Sequence, residues 1–473
     1  MAASFRIFLS LFFVALMCTA CPKPLPEFNP AKYAAAAQEN MPPEKGEEPI
    51  DQTTTALEPS QETYALAEFI DIALKNSPAT RYAWAKAMAS SAEWATSRSS
   101  YWPSLEGTIE GAAGKIPQTD GGRSYLSVGL GLQYLLLDFG GRSAKAKAAR
   151  EALVAANWNH NQSIQDVLRD VPQAYHTHVG DKALFKASEM NLKDAVTTLR
   201  ATEARRAAGV STISDVLQAR ASADQARVDL AQRKGAVAIS KGKLATVVGW
   251  PANAKFEAAG EPGRLPVRNM TRDIDLLIEE AKTSRPDIGA AQAAVRQAEA
   301  QVEQARALPF PKLTGGGNLQ WQGMRNADNT AYYGGLSLEI PIFYGFSMEN
   351  SLRSARADLE AAKAQRTLQE QAVIEEVWDA YHNFNTASEQ YKASTTLLVS
   401  ANESYNASLA RYKAGAADIV ELLNTQNTLA SARAELISSR MDLFNSYAEL
   451  LHAVGERIEG PDIEERELSY EED

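Results

Sequence analysis

Gly209-Val210-Ser211-Thr212-Ile213-Ser214-Asp215-Val216-Leu217 is answered 206 residues later by Gly415-Ala416-Ala417-Asp418-Ile419-Val420-Glu421-Leu422-Leu423. The glycine, the isoleucine, the acidic residue and the leucine keep their spacing in both copies. Working outward, Ala174-Tyr175-His176 returns as Ala380-Tyr381-His382 at the same shift of 206 residues. Nearer the start of each half, Pro78 and Pro103 match Pro286 and Pro311 at a shift of 208. A period that drifts so little over more than a hundred residues means one structural unit built twice. The unit is a half-molecule, far larger than a solenoid repeat.

The turns at Gly209 and Gly415 sit between long helical stretches. From Ser143 to about Ala207 there is no Gly except Gly180 and a single Pro, Pro172; the second copy, from about Met348 to Ala414, has no Pro. Such a helix reaches on the order of 95 Å at 1.5 Å per residue, beyond what a globular domain needs. Pro172 removes one backbone hydrogen bond and predicts a kink that its counterpart Trp378 lacks. After the second turn, Leu422, Leu429, Leu436, Leu443 and Leu450 recur every seven residues, matched in the first half by Val216, Ala223, Leu230, Val237 and Leu244. Sustained heptads predict supercoiled helix pairing. At the start of each half, further helices are expected over about Tyr64 to Ser100 and Arg272 to Leu308, ended by Pro103 and by Pro309 and Pro311.

Between these helices lie alternating segments. Leu105, Gly107 and Ile109 oppose Glu106, Thr108 and Glu110, while Leu126, Val128, Leu130, Leu132 and Tyr134 oppose Ser127, Gly129, Gly131 and Gln133. In the second half Leu313, Leu319 and Trp321 oppose Lys312, Thr314, Asn318 and Gln320, and Leu336, Leu338 and Ile340 oppose Ser337 and Glu339. Period-2 alternation gives a sheet with one apolar and one polar face, in a soluble hairpin or a transmembrane barrel. Four strands cannot close a membrane barrel, which takes about eight or more. An open sheet in lipid leaves its edges unpaired. Membrane-spanning strands here therefore require several chains to share one barrel.

Composition narrows the function. A net charge of −11, with 59 acidic and 48 basic residues, offers no basic patch and argues against nucleic acid. Arg6, the apolar stretch Ile7 to Met17 and the run Met17-Cys18-Thr19-Ala20-Cys21 read as a processing signal over 1–20. This resembles a bacterial lipoprotein signal with Cys21 as the lipid-modified first residue, although Cys18 stands where that motif usually has Leu. An ordinary secretory signal cut nearby is the plainer alternative. With Cys21 the only cysteine left, neither a disulfide within the chain nor a Cys-based metal site can form. Residues 21–62 read as an extended tether rich in Pro, Glu, Gln and Thr, and no later stretch is apolar enough for a transmembrane helix.

The sequence resembles the TolC-type outer-membrane efflux proteins, trimeric channels of Gram-negative bacteria. The resemblance is carried by the tandem copies and by Asn76-Ser77-Pro78 and Ser284-Arg285-Pro286 at the repeat openings. It extends to Pro103-Ser104-Leu105 and Pro311-Lys312-Leu313 at strand entry and to Leu137-Asp138-Phe139-Gly140-Gly141 and Ile342-Phe343-Tyr344-Gly345 at strand exit. It implies an α+β membrane protein: a long antiparallel α-helical coiled-coil tunnel plus a transmembrane β-barrel shared by three chains, four strands per chain. The implied organisation is a first repeat over 63–250, a linker over 251–270, a second repeat over 271–456 and an acidic tail over 457–473. The implied function is a passive outer-membrane exit duct of a tripartite efflux or type I secretion system. Its partners would be outer-membrane lipid, a periplasmic adaptor and an inner-membrane pump of RND or ABC type, with no cofactor. A lipid-anchored periplasmic coiled-coil adaptor or scaffold without a pore is the competing reading; the duplicated strand pairs argue against it.

The resemblance also assigns a site. Gly209 and Gly415 become the periplasmic tips that dock the adaptor. Asp215 and Glu421, with Asp418 beside them, become the constriction, and Tyr412 matches a tyrosine that locks the closed tip. The chain departs from the family pattern at Ala417, where a basic residue is usual, and at Asn424, where an acidic one is. The plain alternative for Asp215 and Glu421 is that first-turn carboxylates complement the helix macrodipole. His176-Thr177-His178 reads as packing, because residues two apart on a helix do not converge on a metal. Gly129-Leu130-Gly131 lies inside a strand and opens no helix, so it is no phosphate cradle. No Ser/His/Asp or Cys/His set suggests an enzyme.

Overall fold

The computed structural model describes residues 59, 63–115, 122–260, 273–324 and 327–455. The signal, Cys21, most of the tether and the acidic tail lie outside them. The chain order is β1 (Thr63–Tyr64), α1 (Leu66–Asn76), α2 (Pro78–Ser97), β2 (Ser104–Lys115), β3 (Gly122–Leu137), α3 (Gly141–Ala207) and α4 (Ile213–Val248). There follow β4 (Glu257–Ala258), α5 (Ile274–Ser284), α6 (Pro286–Ala307), β5 (Lys312–Met324), β6 (Ala327–Glu339), α7 (Ser347–Lys413) and α8 (Ile419–Val454). The two repeats carry the same plan of two helices, two strands, a long helix and a shorter one. Their long helices α3 and α7 are 67 residues each, and α4 and α8 are 36 each.

The helix expected from Tyr64 to Ser100 is two helices, α1 and α2, because Ser77 is extended (ψ 121°) ahead of Pro78 at the first helical position. Arg285 (ψ 128°) and Pro286 divide the second copy into α5 and α6 in the same way. The proline ring disfavours helical geometry in the residue before it, so the same Pro that opens one helix closes the other. By contrast, α3 runs on as one helix through the buried Pro172.

The sheet is antiparallel throughout, in the order β2-β3-β5-β6, so β3 and β5 join the two repeats. Its register sets Leu130 beside Leu319 and Val128 beside Trp321, with an irregularity between Leu135 and Leu137. One face is apolar and open: Ile109 is 78 % exposed and Leu336 72 %. Among the described residues β2 and β6 each keep an unpaired edge.

The helices form two antiparallel pairs, α3 with α4 and α7 with α8, joined along an α3–α8 seam. Leu422, Leu429 and Leu443 of the heptad are buried and Leu436 is half-buried. At mid-height β1 and β4 pair in parallel beside an aromatic cluster of Tyr64, Phe69, Trp250 and Phe256. This ties the start of the first repeat to the residues that follow its last helix.

Candidate functional site: the helical tip

Both turns end their long helix in the same way. Gly209 and Gly415 have φ 78°, the left-handed region where an L side chain is strained. Around the first, Gly209 N donates to Arg206 O at 2.9 Å and Val210 N to Arg205 O at 3.0 Å. Around the second, Gly415 N donates to Tyr412 O at 3.1 Å and Ala416 N to Arg411 O at 2.8 Å. These paired bonds are a Schellman ending, which satisfies the last carbonyls of the helix.

The next helix begins at once. Asp215 N donates to Thr212 Oγ1 at 3.2 Å, while Thr212 N and Ser211 Oγ donate to Asp215 Oδ2 at 2.8 and 2.7 Å. That is a closed capping box. Those bonds, the Thr212 amide first, hold the Asp215 carboxyl below the usual range. In the second copy Asp418 is the cap, accepting from Glu421 N at 2.8 Å. Glu421 then turns back onto its own hairpin: Arg411 Nη1 donates to its Oε1 at 2.7 Å and Ser408 Oγ at 3.2 Å. Asp215, Asp418 and Glu421 are therefore all engaged in helix starts within the chain, and Glu421 is also ion-paired.

Tyr412 differs, because it crosses between repeats. It is 3 % exposed. Its hydroxyl lies 3.0 Å from Thr202 Oγ1, and Arg205 stacks over its ring at 4.6 Å while donating to its carbonyl. Thr202 donates on to Thr198 O at 2.9 Å, and Thr198 Oγ1 donates to Gln426 Oε1 at 3.0 Å. Thr202 and Arg205 were not singled out from the sequence, although the duplication contained a pointer to them. They stand 206 residues before Ser408 and Arg411. In the second repeat that Ser and Arg hold Glu421 of their own hairpin. In the first, the same positions reach across to Tyr412.

The two histidines do not converge. His176 packs against Phe444 with ring centroids 4.8 Å apart, and His178 Nδ1 lies 3.2 Å from Ser240 Oγ. Burial pulls both pKa values down to about 4. Among the described residues no cluster of metal-ligating side chains occurs.

Comparison with known proteins decides what this architecture is. A family model described as outer membrane efflux protein matches residues 69–250 and again 277–456. The chain belongs to that family. It is 32 % identical over 409 residues to Protein CyaE of Bordetella pertussis, covering 83 % of this chain and 84 % of that protein. It is 27 % identical over 408 residues to the probable efflux pump outer membrane protein TtgC of Pseudomonas putida, covering 83 % of each. Its fold matches the outer membrane protein VceC of Vibrio cholerae with a TM-score of 0.73 at 23 % identity, covering 83 % of this chain and 97 % of that one. The outer membrane channel CmeC of Campylobacter jejuni matches at 0.74 and 18 % identity, covering 89 % and 95 %. The chain is thus an outer-membrane efflux channel and not an enzyme, with its strands in the barrel and its helices in the periplasmic tunnel.

Proposed function

We propose that this chain assembles as a homotrimeric exit duct whose periplasmic end is held shut by Tyr412 and opened by partners that dock at the Gly209 and Gly415 turns. The observation that carries the reading is the burial of Tyr412 between the two repeats, bonded to Thr202 and Arg205 on the opposite long helix. A buried polar side chain that spans two hairpins must give up its partner when they separate, so it sets the energy of opening.

The turns suit a helical protein partner. Val210, Ile213, Leu217 and Val420 are exposed around them, a cluster of apolar side chains that a periplasmic adaptor would cover. Through the adaptor the duct would receive cargo from an inner-membrane pump of RND or ABC type. Outer-membrane lipid would meet the apolar sheet face and, at Cys21, an acyl anchor.

Asp215 and Glu421 have the smaller role. Threefold symmetry would place six carboxylates near the mouth, where they focus the field and favour cations. Because Arg411 pairs with Glu421, Asp215 carries more of that effect. Single-channel recording of the purified protein in a planar bilayer tests the proposal. Discrete conductance steps are expected. A protein that inserts and never conducts, even with Tyr412 and Arg205 replaced, would be a scaffold and not a duct.

A further inference from the structure

The seam between the repeats, where α3 meets α8 and, at the tip, the end of α7, is fastened at three heights. At the tip stand the contacts of Thr198, Thr202 and Arg205 with Gln426 and Tyr412. Higher up, Arg433 Nη1 donates to Asn191 Oδ1 at 2.8 Å and Asp194 Oδ2 at 2.9 Å. At the top, Gln173 Nε2 donates to Glu449 Oε2 at 3.1 Å, and His452 Nε2 lies 3.0 Å from Asp166 Oδ1.

The top fastener is built around His452, in the last turn of α8, whose side chain is 5 % exposed. Its other nitrogen, Nδ1, faces Glu376 Oε1 of α7 at 3.4 Å. Glu376 Oε2 receives Arg285 Nη1 at 2.7 Å. Arg285, at the α5–α6 break, also donates to Asp287 Oδ2 at 2.6 Å and to Ala453 O at 3.2 Å. On α3, Arg169 lies 3.9 Å from Asp166 and 2.8 Å from Asp170. The charged groups around His452 are therefore Asp166, Arg169 and Asp170 from α3, Glu376 from α7, Arg285 and Asp287 from the α5–α6 break, and Glu449 from α8 itself.

A neutral imidazole has one N–H and can donate to only one of two flanking carboxylates. An imidazolium has two and can serve both. We propose that His452, as an imidazolium shared by Asp166 and Glu376, is the pH-dependent pivot of the repeat-to-repeat seam, holding its upper end while the tip swings open. The proposal rests on the reading of the tip as a moving gate. Glu376, the partner of His452 on α7, stands 37 residues before the last residue of that helix, Lys413, on the order of 55 Å from the tip. The lower fasteners are built from Thr, Tyr, Gln, Asn, Arg and Asp, none of which ordinarily titrates near neutrality. His176, on the same seam, is already neutral there because burial holds it low.

The sign follows from the surroundings. Burial alone pulls the His452 pKa down, and the hydrogen bond to Asp166 together with the facing Glu376 carboxylate outweighs it, so the net direction is up from 6.5. Both carboxylates are held below their ordinary values and stay charged. A raised folded-state pKa contributes stability that is complete below the unfolded value and is lost as pH rises through the folded one. The upper seam therefore tightens in acid and loosens above neutrality.

Hydrogen exchange of residues 440–454 in the full-length channel, at about pH 5.5 and about pH 8, tests this without reading conductance. Its failure would leave the channel reading untouched. After correction for intrinsic exchange, wild-type protection in the last two turns of α8 should fall about tenfold at the higher pH, the scale of one lost charged hydrogen bond. His452→Gln should remove the difference between the two conditions. Should that variant not fold, Asp166→Asn should shrink it. Equal wild-type protection at both pH values, or a full pH response in either variant, would overturn the proposal.

Discussion

Replacing Tyr412 by Phe removes one hydroxyl and keeps the ring. The loss is its 3.0 Å contact with Thr202, a neutral hydrogen bond contributing about 1 kcal/mol. Three chains that open together multiply that to about 3 kcal/mol, roughly a hundredfold in the closed-to-open ratio. Arg205→Ala should do more, since it removes both the stacking over Tyr412 and the donation to its carbonyl. Arg205 is half-buried, so solvent screening reduces each part, and about 2 kcal/mol per chain is a reasonable sum. Sequence reasoning predicts only a modest Tyr412→Phe effect, because Ala417 and Asn424 stand where the family pattern has other lock partners. Thr202 and Arg205 supply partners in their place, so the larger effect is now expected. Open probability in planar bilayers is the assay, with Thr202→Val and the Tyr412→Phe/Thr202→Val pair completing a double-mutant cycle. Additive effects of the pair, or an Arg205→Ala channel as closed as wild type, would refute a lock at this position.

Asp215→Asn should lower cation-over-anion selectivity more than Glu421→Gln, most clearly at low salt, because Arg411 already pairs with Glu421; reversal potentials in a salt gradient read this, and equal small effects would leave both as helix-start residues alone. Gly249→Ala should destabilise the chain by about 1–3 kcal/mol. Gly249 has φ 87° and a Cβ there would stand 2.9 Å from Asn76 O, so an unchanged melting temperature would contradict that packing. Cys21→Ala should abolish acylation, read by mass spectrometry of the mature N-terminus, and leave the channel in the membrane fraction; loss from that fraction would mean that the strands alone do not anchor it.

The repeat plan, the heptads and the sheet alternation were all legible in the sequence, because each is a periodicity within one element. Leu422, Leu429 and Leu443 are buried as the heptad requires, and the exposed face of the sheet carries the residues its alternation assigned. What was not legible depends on contacts between elements. Nothing local marks Thr202 or Arg205, since each acts on a residue more than two hundred positions away. The break at Ser77 is signalled locally by Pro78 alone. The acidic residues at the turns could be read as caps or as constriction, and their engagement with Thr212, Arg411 and Ser408 needs side-chain geometry. His452 carries no motif at all. Its significance comes only from the two carboxylates that the fold brings to it.

The open edges of β2 and β6 cannot stay unpaired in lipid, so three copies of this chain are expected to complete one barrel. Light scattering of the detergent-solubilised protein, with the detergent mass subtracted, measures that directly. A protein mass of three chains is expected. A mass of one chain in a folded, membrane-extracted sample would contradict it.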